Sequence, residues 1–207
     1  MSCGHISILC IDDHPLFRDG IRYLIDSRSD MALVGLASTG AEGITLARQL
    51  MPDVILMDLR LPDMSGIVAT TRIREHRPNA AVLMLTTFEG DVEVQRALAA
   101  GARAYVLKSS SPEELASAIQ HVHAGKKYLP PQLAVELAQY VGEVVTPREV
   151  SVLKLIAAGN RNRDIAEQLC ISEDTVKGHI KHIMEKLEAR DRTHAVAIAL
   201  QRGIIQL

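Results

Sequence analysis

The sequence lacks tryptophan and has few other aromatic residues, with two phenylalanines and four tyrosines among its 207 residues. Aliphatic side chains must therefore build the core, because hydrophobic residues still make up 47% of the chain. No apolar run approaches the ~18 residues of a membrane-spanning helix, and the N-terminus has no basic-then-apolar signal. We expect a folded protein of one large or two smaller domains that does not contact a membrane.

Cysteine is also scarce, and charge of one sign does not dominate. Cys3, Cys10 and Cys170 have none of the spacings of metal-binding or redox motifs, and scattered thiols suit a reducing compartment, so we expect a cytoplasmic protein. The formal net charge is only −2. Residues 1–145 carry 13 Lys+Arg and 17 Asp+Glu, whereas residues 146–207 carry 10 and 8. An acidic front part and a mildly basic rear part suggest two functions.

The first ~125 residues alternate short aliphatic runs with amphipathic segments. Thr39 with Glu42 and Ser111 with Glu114 match capping boxes, which mark helix starts. The predicted strands are Ile6–Ile11, Met31–Ala37, Val54–Met57, Ala81–Leu85 and Ala104–Leu107, and the predicted helices are 15–27, 40–50, 65–76, 91–100 and 112–124. Such alternation predicts a parallel sheet with helices on both faces.

The rest of the chain has only helical patterns. Gly125 is suited to end the fifth helix, Pro130 and Pro131 prevent its continuation, and a short helix is expected at 133–141. Thr146 with Glu149 forms another capping-box pattern. Further helices are predicted at 147–158, 161–169, 173–188 and 192–202. The expected fold class is α/β plus all-α, with a doubly wound sheet domain at 1–125, a linker at 126–143 and a four-helix domain at 144–207.

Polar side chains follow four of the five predicted strands, where the strands end: Asp12 with Asp13, then Asp58, Thr86 and Lys108. Ligands of open parallel sheets bind beyond the carboxyl ends of the strands. Taken singly, each residue has an ordinary explanation as a helix cap, a turn residue, a strand-end hydroxyl or a solvated lysine. Their shared position favours one common site.

The chemistry of this set is that of phosphoryl transfer. Clustered carboxylates repel one another unless a cation lies among them, and hard oxygen ligands favour Mg²⁺. A carboxylate is able to accept a phosphoryl group as an acyl phosphate. Asp58 is the candidate acceptor because it stands alone, whereas Asp12 and Asp13 form a metal-binding pair. Lys108 would neutralise phosphoryl charge, and Thr86 would bond a phosphoryl oxygen and move when one arrives.

The segments "CIDDHPLFRDG", "VILMDLRLPDMSG", "VLMLTTFE" and "AYVLKSSSPEEL" resemble the receiver domain of two-component response regulators, over residues 6 to about 124. The resemblance implies a flavodoxin-like fold, phosphorylation of Asp58 by a sensor histidine kinase, and Mg²⁺ held by Asp12, Asp13, Asp58 and the backbone carbonyl of Arg60. It also implies that Thr86 and Tyr105 are the switch residues and that Lys108 contacts the phosphate. Ser109 follows Lys108 where many receivers have proline.

The segment "NRDIAEQLCISEDTVKGHIKHIMEKL" is typical of a helix-turn-helix, with the turn at Cys170-Ile171 and Ser172 as N-cap. Val176, Ile180, Ile183 and Leu187 recur at helical spacing and predict one buried stripe. The opposite face presents Lys177, Gly178, Lys181 and His182. Gly178 either lets the helix approach DNA closely or is a tolerated surface glycine.

The segments "VTPREVSVLKLIAAG", "NRDIA", "ISEDTVKGHIKHIMEKL" and "RTHAVAIA" resemble the LuxR-type DNA-binding domain, over about 144–205, and the whole chain resembles a NarL/FixJ-type response regulator. The resemblance implies base contacts by Lys177, Gly178 and Lys181, although many relatives have a larger residue at the position of Gly178. The phosphate-contact candidates are Thr175, His179, His182, Arg163 and Arg192. Because small helix-turn-helix monomers bind weakly, we expect a homodimer on double-stranded DNA. His179 and His182 lack a third metal ligand.

The preferred hypothesis is a transcription regulator switched by phosphorylation, which catalyses only its own phosphorylation and dephosphorylation. One alternative is a constitutive DNA-binding regulator whose receiver is never phosphorylated. Another is a phosphohydrolase with an Asp nucleophile, but the position two residues after Asp58, where common haloacid-type enzymes have an acid or base, is Arg60. A sensor of a small diffusible signal is disfavoured because the front half is receiver-like.

Overall fold

The structure, a computed structural model, describes residues 5–87, 91–131 and 145–205. The short helix predicted at 133–141 lies outside these ranges. The chain divides into two compact units, the first of which contains the sheet and the second the C-terminal helices. Within the described ranges, no helix is both long enough and apolar enough to cross a bilayer.

Five parallel strands form one sheet in the order β2-β1-β3-β4-β5. The strands are β1 (Ile6–Ile11), β2 (Met31–Ala37), β3 (Val54–Asp58), β4 (Ala81–Thr86) and β5 (Ala104–Leu107). Strands β3 and β4 are buried along their whole length, as expected for central strands covered on both faces. This is the flavodoxin-like order, whose switch point lies between β1 and β3. The predicted fold class is confirmed, and Asp58 and Thr86 are themselves the last strand residues.

The helices of the first unit are α1 (Pro15–Asp26), α2 (Gly40–Leu50), α3 (Gly66–His76), α4 (Asp91–Ala99) and α5 (Pro112–His123). Two predicted capping boxes are only half formed. Thr39 accepts from the backbone N–H of Glu42 at 3.2 Å, but the Glu42 carboxylate accepts from the N–H of Ser38. Ser111 accepts from the N–H of Glu114 at 3.1 Å, and Glu114 accepts instead from the Tyr128 hydroxyl. In both, the glutamate accepts a hydrogen bond from another donor and not from the N-cap backbone N–H.

The second unit consists of α6 (Pro147–Ala157), α7 (Asn162–Leu169), α8 (Glu173–Lys186) and α9 (Arg192–Gln201). Its capping box is complete, because Glu149 Oε2 accepts from Thr146 N at 2.7 Å and Thr146 Oγ1 accepts from Glu149 N at 3.3 Å. The same Glu149 oxygen lies 2.9 Å from Lys186 Nζ, in the last turn of α8. This ion pair joins the start of the unit to the end of α8.

The predicted helix-turn-helix is confirmed in its geometry. Cys170 ends α7 in the left-handed region at φ 53°, and Ser172 accepts from the Thr175 N–H to begin α8. Three residues of the predicted stripe, Val176, Ile183 and Leu187, are buried, and Ile180 is partly buried. The opposite face of α8 is therefore available to solvent.

Candidate functional site

The carboxyl ends of the strands bring the predicted acidic residues and the lysine into one pocket. Asp12 is fully buried and Asp58 is 3% exposed. Lys108 Nζ lies 2.7 Å from Asp12 Oδ2 and 2.8 Å from Asp58 Oδ2. The lysine side chain is only 8% exposed, so it is not the solvated residue of the ordinary explanation. Short contacts between buried opposite charges are charge-assisted and hold both carboxylates in place.

The pKa of Asp58 is raised, chiefly because burial disfavours the charged carboxylate, and the neighbouring charge of Asp12 adds to this; the hydrogen bond from Lys108 opposes it. Burial alone would lower the pKa of Lys108, but its bonds to Asp12 and Asp58 outweigh burial and raise it. The pocket therefore holds a charged ammonium beside a weakly solvated carboxylate, which is a more basic nucleophile than a carboxylate in water.

The loop after β3 fixes Asp58 from its other side. Asp58 Oδ1 accepts from the Arg60 N–H at 3.2 Å, which is a turn contact, but Ser65 and not Asp58 caps α3. A Cβ added to Gly66 would lie 2.0 Å from the Asp58 carbonyl oxygen, so only glycine fits there. Asp63 accepts from Gly40 N at 2.8 Å and from Ala41 N at 2.9 Å, which ties the loop to the start of α2.

His14 belongs to the pocket, and sequence reasoning missed it. Its Nδ1 lies 2.7 Å from Asp13 Oδ1, 3.1 Å from Asp12 Oδ1 and 3.6 Å from Asp58 Oδ2. The signal was its place directly after the two aspartates at the end of β1. His14 also takes the N-cap position of α1 without a side-chain cap, so neither Asp12 nor Asp13 caps that helix as the ordinary explanation required.

The donors of this pocket fit a divalent cation. One ligand atom from each of Asp12, Asp13, His14 and Asp58 lies within 4.8 Å of the others. Asp12 Oδ2 and Asp13 Oδ1 are buried, and neither accepts a hydrogen bond of good geometry from the described part of the chain, although Lys108 and His14 lie close to them. Buried carboxylate oxygens without a well-formed hydrogen bond are suitable ligands for a hard cation.

The remaining predicted pocket residues, Thr86 and Tyr105, are buried in the neighbouring strands β4 and β5. Thr86 is 2% exposed, and its carbonyl accepts from the Lys108 N–H at 2.7 Å. Tyr105 is fully buried in β5. Cys10 is buried in β1, and burial, with a contribution from Asp12, raises the pKa of its thiol to about 12. Cys10 is therefore a neutral core residue and not a competing nucleophile.

The second candidate site is the exposed face of α8. Lys177, Lys181 and His182 are exposed on it, and apart from the backbone of the helix itself no atom of the described residues lies within 4 Å of a Cβ added to Gly178. Lys177 pairs with Asp174 at 2.9 Å and Lys181 with Glu185 at 3.8 Å. Exposed pairs of this kind are weak because water screens the two charges, so a phosphate or a base can replace the carboxylate.

The other predicted DNA contacts differ in their surroundings: Thr175 and Arg163 are exposed, whereas His179 and Arg192 are partly buried. Arg163 Nε lies 3.2 Å from Glu167, and Thr175 Oγ1 lies 2.8 Å from Ser172 Oγ.

Arg192 donates to the Asn160 carbonyl at 2.9 Å and to Asn162 Oδ1 at 3.4 Å, so part of its guanidinium ties α9 to the start of α7. Its position is thus fixed by the protein. Sequence reasoning missed this tie, because no local pattern joins residues 30 positions apart.

Comparisons with known proteins find matches for both parts of the chain. Residues 8–120 match the family described as "Response regulator receiver domain", and residues 143–199 match "Bacterial regulatory proteins, luxR family". The chain is 41% identical to the response regulator protein VraR of Staphylococcus aureus, over 97% of this chain and 99% of that protein.

Solved structures are similar as well. A LuxR-family two-component response regulator from Aurantimonas sp. is 40% identical over 66% of this chain and 97% of its own, with a TM-score of 0.63. A structure of two RcsB dimers bound to two parallel DNAs is 25% identical over 96% of this chain and 99% of its own, with a TM-score of 0.74.

Proposed function

Since the chain belongs to the two-component response regulators that join a receiver domain to a LuxR-type DNA-binding domain, we propose that phosphorylation of Asp58 controls its binding to DNA. The observation that carries this proposal is the placement of Asp58 Oδ2 2.8 Å from Lys108 Nζ inside the acidic pocket. The phosphoryl donor in the cell is a sensor histidine kinase, as the receiver domain implies.

In the phosphorylation step an Asp58 carboxylate oxygen attacks phosphorus, the bond from phosphorus to the leaving group breaks, and an acyl phosphate forms. Lys108 then stabilises the charge of the phosphoryl oxygens, because its ammonium already faces Asp58. Asp12, Asp13, Asp58 and the carbonyl of Arg60 are the proposed ligands of Mg²⁺, which supplies further neutralisation of phosphoryl charge when bound.

Thr86 and Tyr105 carry the signal away from Asp58. Thr86 lies at the end of the strand between those of Asp58 and Lys108, where its hydroxyl would bond a phosphoryl oxygen. Tyr105 lies in the neighbouring strand, opposite Met84 of β4. A shift of these two side chains would change the receiver surface that contacts a partner.

The output is binding of a homodimer to double-stranded DNA, in the cytoplasm. Lys177, Gly178 and Lys181 would contact bases in the major groove, and Thr175, His179, His182, Arg163 and Arg192 would contact phosphates. The exposure of the α8 face supports this assignment, as does the RcsB structure on DNA. Working domain boundaries are 1–125, 126–143 and 144–207.

The phosphorylation proposal is tested by incubating the full chain with labelled acetyl phosphate and Mg²⁺. Asp58→Asn should abolish an acid-stable, base-labile label, because its amide is not a nucleophile. Asp26→Asn, the same change at an exposed position, should keep it. A label that survives in Asp58→Asn would exclude Asp58 as the acceptor. Turnover of a small phosphate ester above one per chain would favour the phosphohydrolase alternative.

The DNA proposal is tested by selecting duplexes from a random pool, with and without acetyl phosphate, at one fixed salt concentration. Phosphorylated protein should enrich a site made of two half-sites. Lys181→Ala should then weaken binding about tenfold and relax specificity at one base pair. Lys154→Ala, an exposed lysine on α6, is the matched control. Equal enrichment with and without phosphorylation would favour the constitutive regulator.

A further inference from the structure

His14 is the pocket residue to which phosphoryl transfer gives no role. Its ring is 62% exposed, yet Nδ1 turns inward and lies within 3.6 Å of an oxygen of each of Asp12, Asp13 and Asp58. The backbone holds the residue there, because His14 N donates to Asp12 Oδ1 at 2.8 Å. A nitrogen donor is therefore fixed among the oxygen donors of the pocket.

The spacing of these atoms is that of neighbouring metal ligands. Ligands at right angles around an octahedral ion, with bonds near ~2.1 Å, lie about 3 Å apart. Nδ1 lies 2.7 Å from Asp13 Oδ1 and 3.1 Å from Asp12 Oδ1. Asp13 Oδ1 is buried and receives no hydrogen bond of good geometry from any residue that the structure describes, even from this nearby nitrogen. The contact between Nδ1 and Asp13 Oδ1 is thus not a hydrogen bond of good geometry, although Nδ1 also lies at hydrogen-bond distance from Asp12 Oδ1, at 3.1 Å, and from Lys108 Nζ, at 3.3 Å.

We infer that His14 Nδ1 is a further donor of the metal site, beside the three carboxylates and the Arg60 carbonyl, and raises the affinity of the site for transition-metal dications relative to Mg²⁺. The inference rests on the metal site of the proposed function. Carboxylate oxygens suit Mg²⁺ and Mn²⁺, whereas an imidazole nitrogen adds affinity for ions such as Co²⁺ and Ni²⁺. Asp12, Asp13 and Asp58 alone would form a site for hard cations. With His14 as a further ligand, the site would also bind transition-metal ions.

The alternative is that His14 fills the pocket as a cation in place of a metal, as its distance of 3.1 Å from Asp12 would also allow. The two roles predict opposite effects on metal affinity when the imidazole is removed. Removal of a ligand weakens the binding of Co²⁺ much more than that of Mg²⁺. Removal of a competing cation strengthens the binding of both ions.

The test is calorimetric titration of the full chain with Co²⁺ and with Mg²⁺ at one fixed pH. His14→Gln should weaken Co²⁺ binding about tenfold or more and change Mg²⁺ binding less than about threefold. The visible absorption bands of bound Co²⁺ should shift as a nitrogen ligand is lost. His76→Gln, an exposed histidine in the last turn of α3, should match the unchanged chain in every titration. Thermal unfolding without metal verifies that each variant is folded.

Failure of this inference is distinguishable from failure of the proposed site. If Mg²⁺ binds and Asp13→Asn abolishes its binding, but His14→Gln leaves Co²⁺ affinity and absorption unchanged, only the role of His14 is wrong. Equally stronger binding of Co²⁺ and Mg²⁺ in His14→Gln would likewise overturn the role of His14 as a ligand. If the unchanged chain binds neither ion, the metal site and the role of His14 are both wrong.

Discussion

Lys108 Nζ lies between two carboxylates, 2.7 Å from Asp12 Oδ2 and 2.8 Å from Asp58 Oδ2, and so joins three strand ends that are far apart in the sequence. Strand β4 separates the strands that carry Asp58 and Lys108, and the lysine extends across its end. The ammonium is the cation that permits two buried carboxylates to lie side by side.

Lys108→Met should destabilise the metal-free protein by about 1–3 kcal/mol, because two buried carboxylates lose their shared cation and part of the pocket remains open to water. The same change should strengthen Mg²⁺ binding, since the lysine competes with the metal for the same oxygens. Urea unfolding with and without Mg²⁺ measures both effects. Lys126→Met, at an exposed lysine, is the control. Weaker Mg²⁺ binding in Lys108→Met would contradict the competition.

Gly66→Ala should destabilise the receiver by about 1–3 kcal/mol, because the new Cβ would meet the Asp58 carbonyl oxygen at 2.0 Å and the backbone must move. The yield of phosphorylation should fall with it, as the moved carbonyl belongs to the acceptor residue. Gly20→Ala is the matched helix variant, because among the described residues only the backbone of its own helix lies close to the new Cβ. It should be neutral or stabilising by up to about 1 kcal/mol in thermal unfolding. Equal stability of the two variants would show that the loop after β3 moves to accommodate the new Cβ at little cost.

Asp63→Asn should lower the melting temperature at neutral pH, because the carboxylate bonds the N–H groups of Ala41 and Gly40 at the start of α2. These bonds depress the pKa of Asp63 in the folded state below its ordinary 3.8. The stabilisation is therefore fully present above about pH 4 and is lost as the pH falls through the depressed pKa. Melting curves between about pH 2 and pH 7 should converge for the two chains at the acid end. A difference in melting temperature that does not change with pH would show that the shape of the side chain, and not its charge, is responsible.

Gly178→Ala should stabilise the DNA-binding unit by up to about 1 kcal/mol, since a Cβ at this position of α8 meets open space. No neighbour among the described residues requires a glycine at this position. If the glycine instead serves close approach to DNA, the added methyl group should weaken binding to the selected duplex. Thermal unfolding and fluorescence anisotropy measure the two effects. Higher stability with unchanged affinity would leave a tolerated surface glycine as the explanation.

The main features of the fold follow from local patterns, which is why the sequence predicts them well. Aliphatic runs separated by amphipathic segments predict the order of strands and helices, and most helix ends fall within one or two residues. The half-formed capping boxes of Thr39 and Ser111 show the limit of this reasoning. Their glutamates follow the pattern, but Ser38 and Tyr128 offer other hydrogen bonds that only the folded chain reveals.

The residues of the site also fall into those that the sequence predicts and those that only the folded chain reveals. The residues at strand ends are predictable because a parallel sheet brings its carboxyl ends to one edge. The role of Asp63 as a tie to α2, and the pair of Glu149 with Lys186, join residues 22 and 37 positions apart and leave no periodic signal. His14 is an intermediate case. The sequence shows its position next to Asp13, but only the structure shows that its ring nitrogen points into the pocket.

The position of Lys108 after the last strand has a consequence for synthesis on the ribosome. A nascent chain exposes Asp12 and Asp13 first and Asp58 later, and each lacks the shared ammonium until β5 has emerged and paired at the edge of the sheet. Until then the carboxylates have no ammonium to offset their mutual repulsion. The last short strand of the receiver therefore completes the sheet and at the same time brings the neutralising cation to the pocket.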